Sequence, residues 1–121
     1  YMAKIAVMLA EGFEEVEGLT VVDICRRANI EVEMTSVTGS EIVASSHGIK
    51  VVADKLIEDT DFDSLDMIVL PGGMPGTNLI EANEYAQKAI NPLTDTYFRS
   101  EDEVLAYFSD NFTRISSCNN I

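Results

Sequence analysis

Basic residues are scarce in this chain of 121 residues: eight Lys and Arg stand against 21 Asp and Glu, for a formal charge of -13. That deficit argues against unaided binding to nucleic acid or to an anionic membrane surface, because like-charged surfaces repel. Long apolar runs are missing as well. None approaches the roughly 18 residues that span a bilayer, and the opening residues read as a strand instead of a signal peptide. A cytoplasmic protein is therefore expected, with Tyr1 a cloning remnant ahead of Met2. Cysteine is limited to Cys25 and Cys118, too few for a disulfide framework. The sequence contains no HExxH, paired CxxC, Walker loop or GxGxxG, so no metal and no cofactor is expected.

What is present suits one ordinary α/β domain, with 46% hydrophobic residues and enough length for a single core. Lys4 to Ala10, KIAVMLA, reads as a central parallel strand. From about Glu14 the period becomes helical: Val16, Leu19, Val22 and Cys25 or Arg26 recur on one stripe, with acids in the first turn and Arg26-Arg27 in the last. Asn29 marks the stop. Glu31 to Val37 alternates polar and apolar residues, as a second and less buried strand does. The three elements make a βαβ unit with a right-handed crossover.

Gly39-Ser40 then turns the chain into two short strands, Glu41 to Ala44 and Ile49 to Ala53, around Ser45-Ser46-His47-Gly48. An acidic connection, Glu58 to Asp66, is pinned by Leu56, Ile57 and Leu65. Its acids, with Asp54, read as a solvated connection, since their spacing is not that of an EF-hand. Met67 to Gly76, MIVLPGGMPG, is a strand buried on both faces that delivers a diglycine loop whose N–H groups are bare. In an open α/β sheet ligands bind beyond the carboxyl ends of the strands, where anions meet such amides. Thr77-Asn78 then caps a helix from Leu79 to Ile90, closed by Asn91-Pro92. Further on, Ser100 to Glu103 is a capping-box pattern, and Val104, Leu105, Phe108 and Phe112 share a helical face.

Two segments together, KIAVMLAEGFEEVEGLTVVDICRRA and DMIVLPGGMPGTNLI, resemble the amino-terminal half of the ThiJ/PfpI superfamily over about residues 3–90. The resemblance implies a flavodoxin-like fold of the class I glutamine amidotransferase-like type: a parallel sheet with helices on both faces, truncated or remodelled after about residue 90. One domain over 1–121 is expected, with 91–121 a divergent helical tail. By this resemblance Glu17 is the acid that shares a proton with a cysteine nucleophile, and Gly72 and Gly73 are the amide donors that hold an oxyanion. The implied activity is on small carbonyl compounds or their adducts.

The cysteine elbow of that superfamily has no counterpart after Ile90. Cys118 is the one residue with a faint likeness to it, and it lacks a following helix that would depress its thiol pKa. Cys25 reads as a small core residue, and His47 as a surface histidine without a partner base. An alternative is a catalytically inactive member with an interaction role, its uncovered sheet face binding a second copy. Both alternatives share one spatial requirement: Glu17 and Gly73 must meet at the same rim of the sheet.

Overall fold

The structure, a computed structural model, describes residues 3–97. Its first compact unit is Tyr1–Gln87. Elements follow in the order β1 (Lys4–Leu9), α1 (Glu15–Arg27), β2 (Glu31–Ser36), β3 (Ile42–Ala44), β4 (Lys50–Val52), β5 (Lys55–Leu56), β6 (Met67–Val69), α2 (Gly76–Ala82) and α3 (Glu84–Tyr97). Strands β5-β2-β1-β6 form one sheet in that order, all parallel, and β3-β4 form a separate antiparallel hairpin. Order reverses at β1, which has β2 on one side and β6 on the other. That is the switch point where open α/β sheets leave a crevice at their carboxyl ends.

The core is centred on β1. Residues Ile5 to Ala10 are all buried, both faces together, so the unbroken apolar run is the mark of a fully covered strand. Helix α1 packs with Gly18, Val21, Val22 and Cys25 inward. These positions are i, i+3, i+4 and i+7, a stripe displaced from the expected one, and Val16 is 66% exposed. The cause is Gly18, whose bare backbone lies close over the Phe13 ring, so that an added Cβ would sit 3.1 Å from it. The helix ends as expected at Asn29, which takes φ +58. Its N–H donates to the Arg26 carbonyl, and the Ile30 N–H to the Cys25 carbonyl, the paired bonds of a left-handed helix stop.

Four expectations are corrected. Strand β6 is half-exposed, not buried on both faces, because it lies at the sheet's outer position and pairs only with β1 among the described residues. The expected helix from Leu79 to Ile90 is two helices broken at Asn83, whose carbonyl Oδ1 accepts from the Ala86 N–H and starts α3. Thr77 and Asn78 do not cap α2; Pro75 occupies that place without a side-chain bond, and the Thr77 hydroxyl donates to the Gly73 carbonyl from inside the helix. Nor does Asn91-Pro92 close α3, which continues to Tyr97; proline there removes its own backbone donor while its φ remains helical. Cys118 and the expected helix face at Val104, Leu105, Phe108 and Phe112 lie outside the described residues. Among the described residues no helix is long and apolar enough to cross a membrane.

Strand β2 is less apolar and, as expected, less buried than β1, with Glu31 exposed and Met34 half-buried, yet it encloses the polar side chains of Glu33, Thr35 and Ser36. Glu33 Oε1 lies 3.3 Å from Lys4 Nζ and 3.0 Å from Lys55 Nζ, tying β1, β2 and β5 together. Burial pushes the Glu33 carboxyl up, but hydrogen bonds and charge from Lys55 and Lys4 outweigh it and hold the group below the ordinary carboxylate range. A depressed folded pKa gives stability that is complete above the unfolded value and is lost as pH falls through the folded one. Glu33→Gln should therefore be less stable than wild type by about 2 kcal/mol near neutrality. Urea midpoints should converge between about pH 5 and about pH 3; a constant gap across that range would show that the ion pairs contribute nothing.

Candidate functional site

At the carboxyl end of β1 the chain turns through Glu11 to Glu14 into α1, and at the carboxyl end of the neighbouring β6 it turns through Pro71-Gly72-Gly73. Parallel pairing of these two strands puts both turns at one rim. They are then joined through Gly72. Its carbonyl accepts from the Glu14 N–H at 2.8 Å, and its own N–H donates to Glu17 Oε2 at 2.8 Å. The close fit depends on missing side chains. A Cβ on Gly72 would lie 2.6 Å from Glu17 Oε2, and one on Gly73 would lie 2.5 Å from both Glu14 N and the Gly12 carbonyl oxygen. Gly73 also holds φ +98, in the region that L side chains rarely enter.

The required convergence of Glu17 with the diglycine loop is thus present in the geometry. One detail differs from the sequence expectation: the Gly72 amide is not bare, because the Glu17 carboxylate occupies it. The Gly73 N–H makes no hydrogen bond among the described residues and is the donor left open at this rim. Glu17 itself is exposed, and its bond to the loop engages Oε2 alone.

Cys25 is far from this corner. Eight residues separate it from Glu17 on the same helix, about 12 Å along the axis. It is 1% exposed, and burial pushes its thiol pKa up, the reverse of what a nucleophile needs.

A second cluster lies beside the first. The hairpin turn is laced to the β1–α1 loop by Gly12 N–H to the Ala44 carbonyl at 2.9 Å and Ser46 N–H to the Phe13 carbonyl at 2.8 Å. This brings His47 Nδ1 against Glu15 Oε1, while Ser46 Oγ donates to Glu15 Oε2 at 3.0 Å. The expectation that His47 has no partner base is therefore overturned by a carboxylate 32 residues away in sequence. Burial raises the Glu15 pKa, but bonds from its own backbone N–H, Ser46, Ser45 and His47 bring it below the ordinary value.

An open parallel sheet with a strand-order reversal, an acid at the first helix start and a diglycine turn beside it define a flavodoxin-like α/β protein with an acid-and-amide corner. Comparison with known proteins makes the class specific. The DJ-1/PfpI family model matches residues 3–96. The chain is 37% identical over 90 residues to Protein DJ-1 homolog B of Arabidopsis thaliana, covering 74% of this chain and 20% of that protein. It is 38% identical over 78 residues to Protein dj-1beta of Drosophila melanogaster, covering 64% of this chain and 42% of the other. Among solved structures, oxidized Toxoplasma gondii DJ-1 superposes with a TM-score of 0.73 at 34% identity, over 79% of this chain and 52% of that one. Drosophila melanogaster DJ-1beta gives 0.74 at 28% identity, over 81% and 53%. The chain belongs to the DJ-1/PfpI family, which includes the ThiJ/PfpI proteins that the sequence resembles, and it spans about half the length of these solved relatives or less of the curated ones.

Proposed function

We propose that the Glu17–Gly72–Gly73 corner is the acid-and-amide part of a site that acts on small carbonyl compounds or their adducts through a thiolate. The observation that supports this is the hydrogen bond from Gly72 N–H to Glu17 Oε2. It fixes the carboxylate at the rim while leaving its second oxygen and the Gly73 amide open. In the proposed chemistry the thiolate attacks the carbonyl carbon, and the carbonyl oxygen becomes an oxyanion that accepts from the Gly73 N–H. Glu17 holds the proton that the thiol gives up and returns it to the oxygen. Cys25 is too distant and too deeply buried for the role; Cys118, the other cysteine of the sequence, lies outside the described residues and is the thiol that labelling tests.

Thiol labelling tests the proposal. Iodoacetamide at neutral pH should modify Cys118 faster than it modifies free cysteine, with Cys25 protected until the protein unfolds, and Glu17→Ala should slow the Cys118 reaction. Labelling of Cys118 at the free-thiol rate, unchanged by Glu17→Ala, would rule out an activated nucleophile.

A further inference from the structure

We propose that Glu14, Glu15 and His47 bind one divalent first-row cation of the zinc type between the start of α1 and the β3–β4 turn. One donor atom from each of the three residues lies within 4.8 Å of the others. An imidazole nitrogen with two carboxylate oxygens is a zinc donor set, leaving further positions for water. Bonds to zinc are about 2.0–2.2 Å, so small rotations of the Glu14 and His47 side chains close the ring of donors. The nitrogen ligand also argues against calcium and magnesium, which prefer oxygen alone.

The support is rigid where it needs to be. Phe13 and Val43 are fully buried and Ser45 nearly so, and the two loop-to-hairpin backbone bonds set the spacing between helix and turn. Glu15, with its side chain 15% exposed, is held by the Ser46 hydroxyl. Such an outer hydrogen bond orients a metal-binding carboxylate. The His47 side chain is 72% exposed, giving the cation a path in. Charge favours the same occupant: among the described residues no Lys or Arg pairs with Glu14 or Glu15. Glu14 spends only Oε1 on the Val16 N–H, so its other oxygen is available. The more acidic stretch from Glu58 to Asp66 makes no comparable group among the described residues. Its acids are used elsewhere, as where Asp66 accepts from the Lys4 N–H and Asp61 from the Asp63 N–H.

This site does not depend on the carbonyl chemistry, since neither Glu17 nor a thiol is among its ligands. The test is calorimetric titration of Zn²⁺ into the full chain, with Cys118→Ser, His47→Ala and Glu15→Gln beside wild type. Wild type and Cys118→Ser should each bind one Zn²⁺ per chain, and His47→Ala and Glu15→Gln should weaken binding by about tenfold or more. His47 is the only histidine, so the wild-type protein supplies a second readout free of folding effects: Zn²⁺ should move the single set of imidazole NMR resonances. Equal Zn²⁺ affinity in His47→Ala, loss of binding in Cys118→Ser, unmoved imidazole signals, or full displacement of Zn²⁺ by equimolar Mg²⁺ would each overturn the proposal.

Discussion

Glu17→Gln should lower kcat/KM for a small 1,2-dicarbonyl substrate by about 10²- to 10⁴-fold, the usual worth of a positioned acid–base group. The substitution is nearly isosteric. A glutamine carbonyl still accepts from the Gly72 N–H, so the β1–α1 turn and the diglycine loop remain joined, and what disappears is the ability to hold and return a proton. Thermal stability should therefore stay close to wild type while turnover falls. Steady-state kinetics beside a melting curve separates the two effects. Retention of wild-type turnover by Glu17→Gln would show that the acid has no chemical part, and a loss of turnover matched by a large loss of stability would show that its part is structural.

Gly73→Ala should be the most destabilising single substitution at the rim. Alanine would have to adopt φ +98, and its methyl would lie 2.5 Å from Glu14 N and from the Gly12 carbonyl oxygen. Both are backbone atoms held by the α1 start, so neither can move aside as a side-chain end would. Left-handed strain together with overpacking amounts to about 3 kcal/mol, which lowers Tm by roughly 10 °C in a domain of this size. Gly72→Ala meets the end of the Glu17 side chain instead, so it should displace the carboxylate and cost less stability. Equal Tm values for Gly73→Ala and wild type, by calorimetry, would mean that the two turns are not pressed together.

Much of this was legible in the residues. The unbroken run from Ile5 to Ala10 announced a strand covered on both faces, and the exchange of acids for arginines along Glu15 to Arg27 announced a helix with its direction. Glu17 and Gly73 could be placed at one rim because parallel strands deliver their following turns to the same edge. Where the reading erred, tertiary contacts decided. The apolar stripe of α1 was started at Val16 and run through Leu19 because both are apolar, whereas the helix is drawn in at Gly18, a residue with no side chain to signal it. Asn83 looked like a helix interior residue, yet its side chain serves a new helix start. The pairing of His47 with Glu15 left no trace in spacing at all, since 32 residues and a hairpin separate them. The occupied Gly72 amide was equally hidden: a diglycine shows that N–H groups are accessible, not which of them a distant carboxylate has taken.

The joining of α1 to the diglycine loop can be read from one amide. Hydrogen exchange of the Gly72 N–H, followed by NMR in wild type and Glu17→Ala, isolates the bond to Glu17 Oε2. A hydrogen bond to a charged group is worth about 1.5–3 kcal/mol, so the Gly72 amide should exchange roughly ten- to a hundredfold faster in Glu17→Ala. Amides of β1 should keep their wild-type rates. An unchanged Gly72 rate would mean that the acid and the loop do not meet, and the carbonyl site built on their meeting would fall with it.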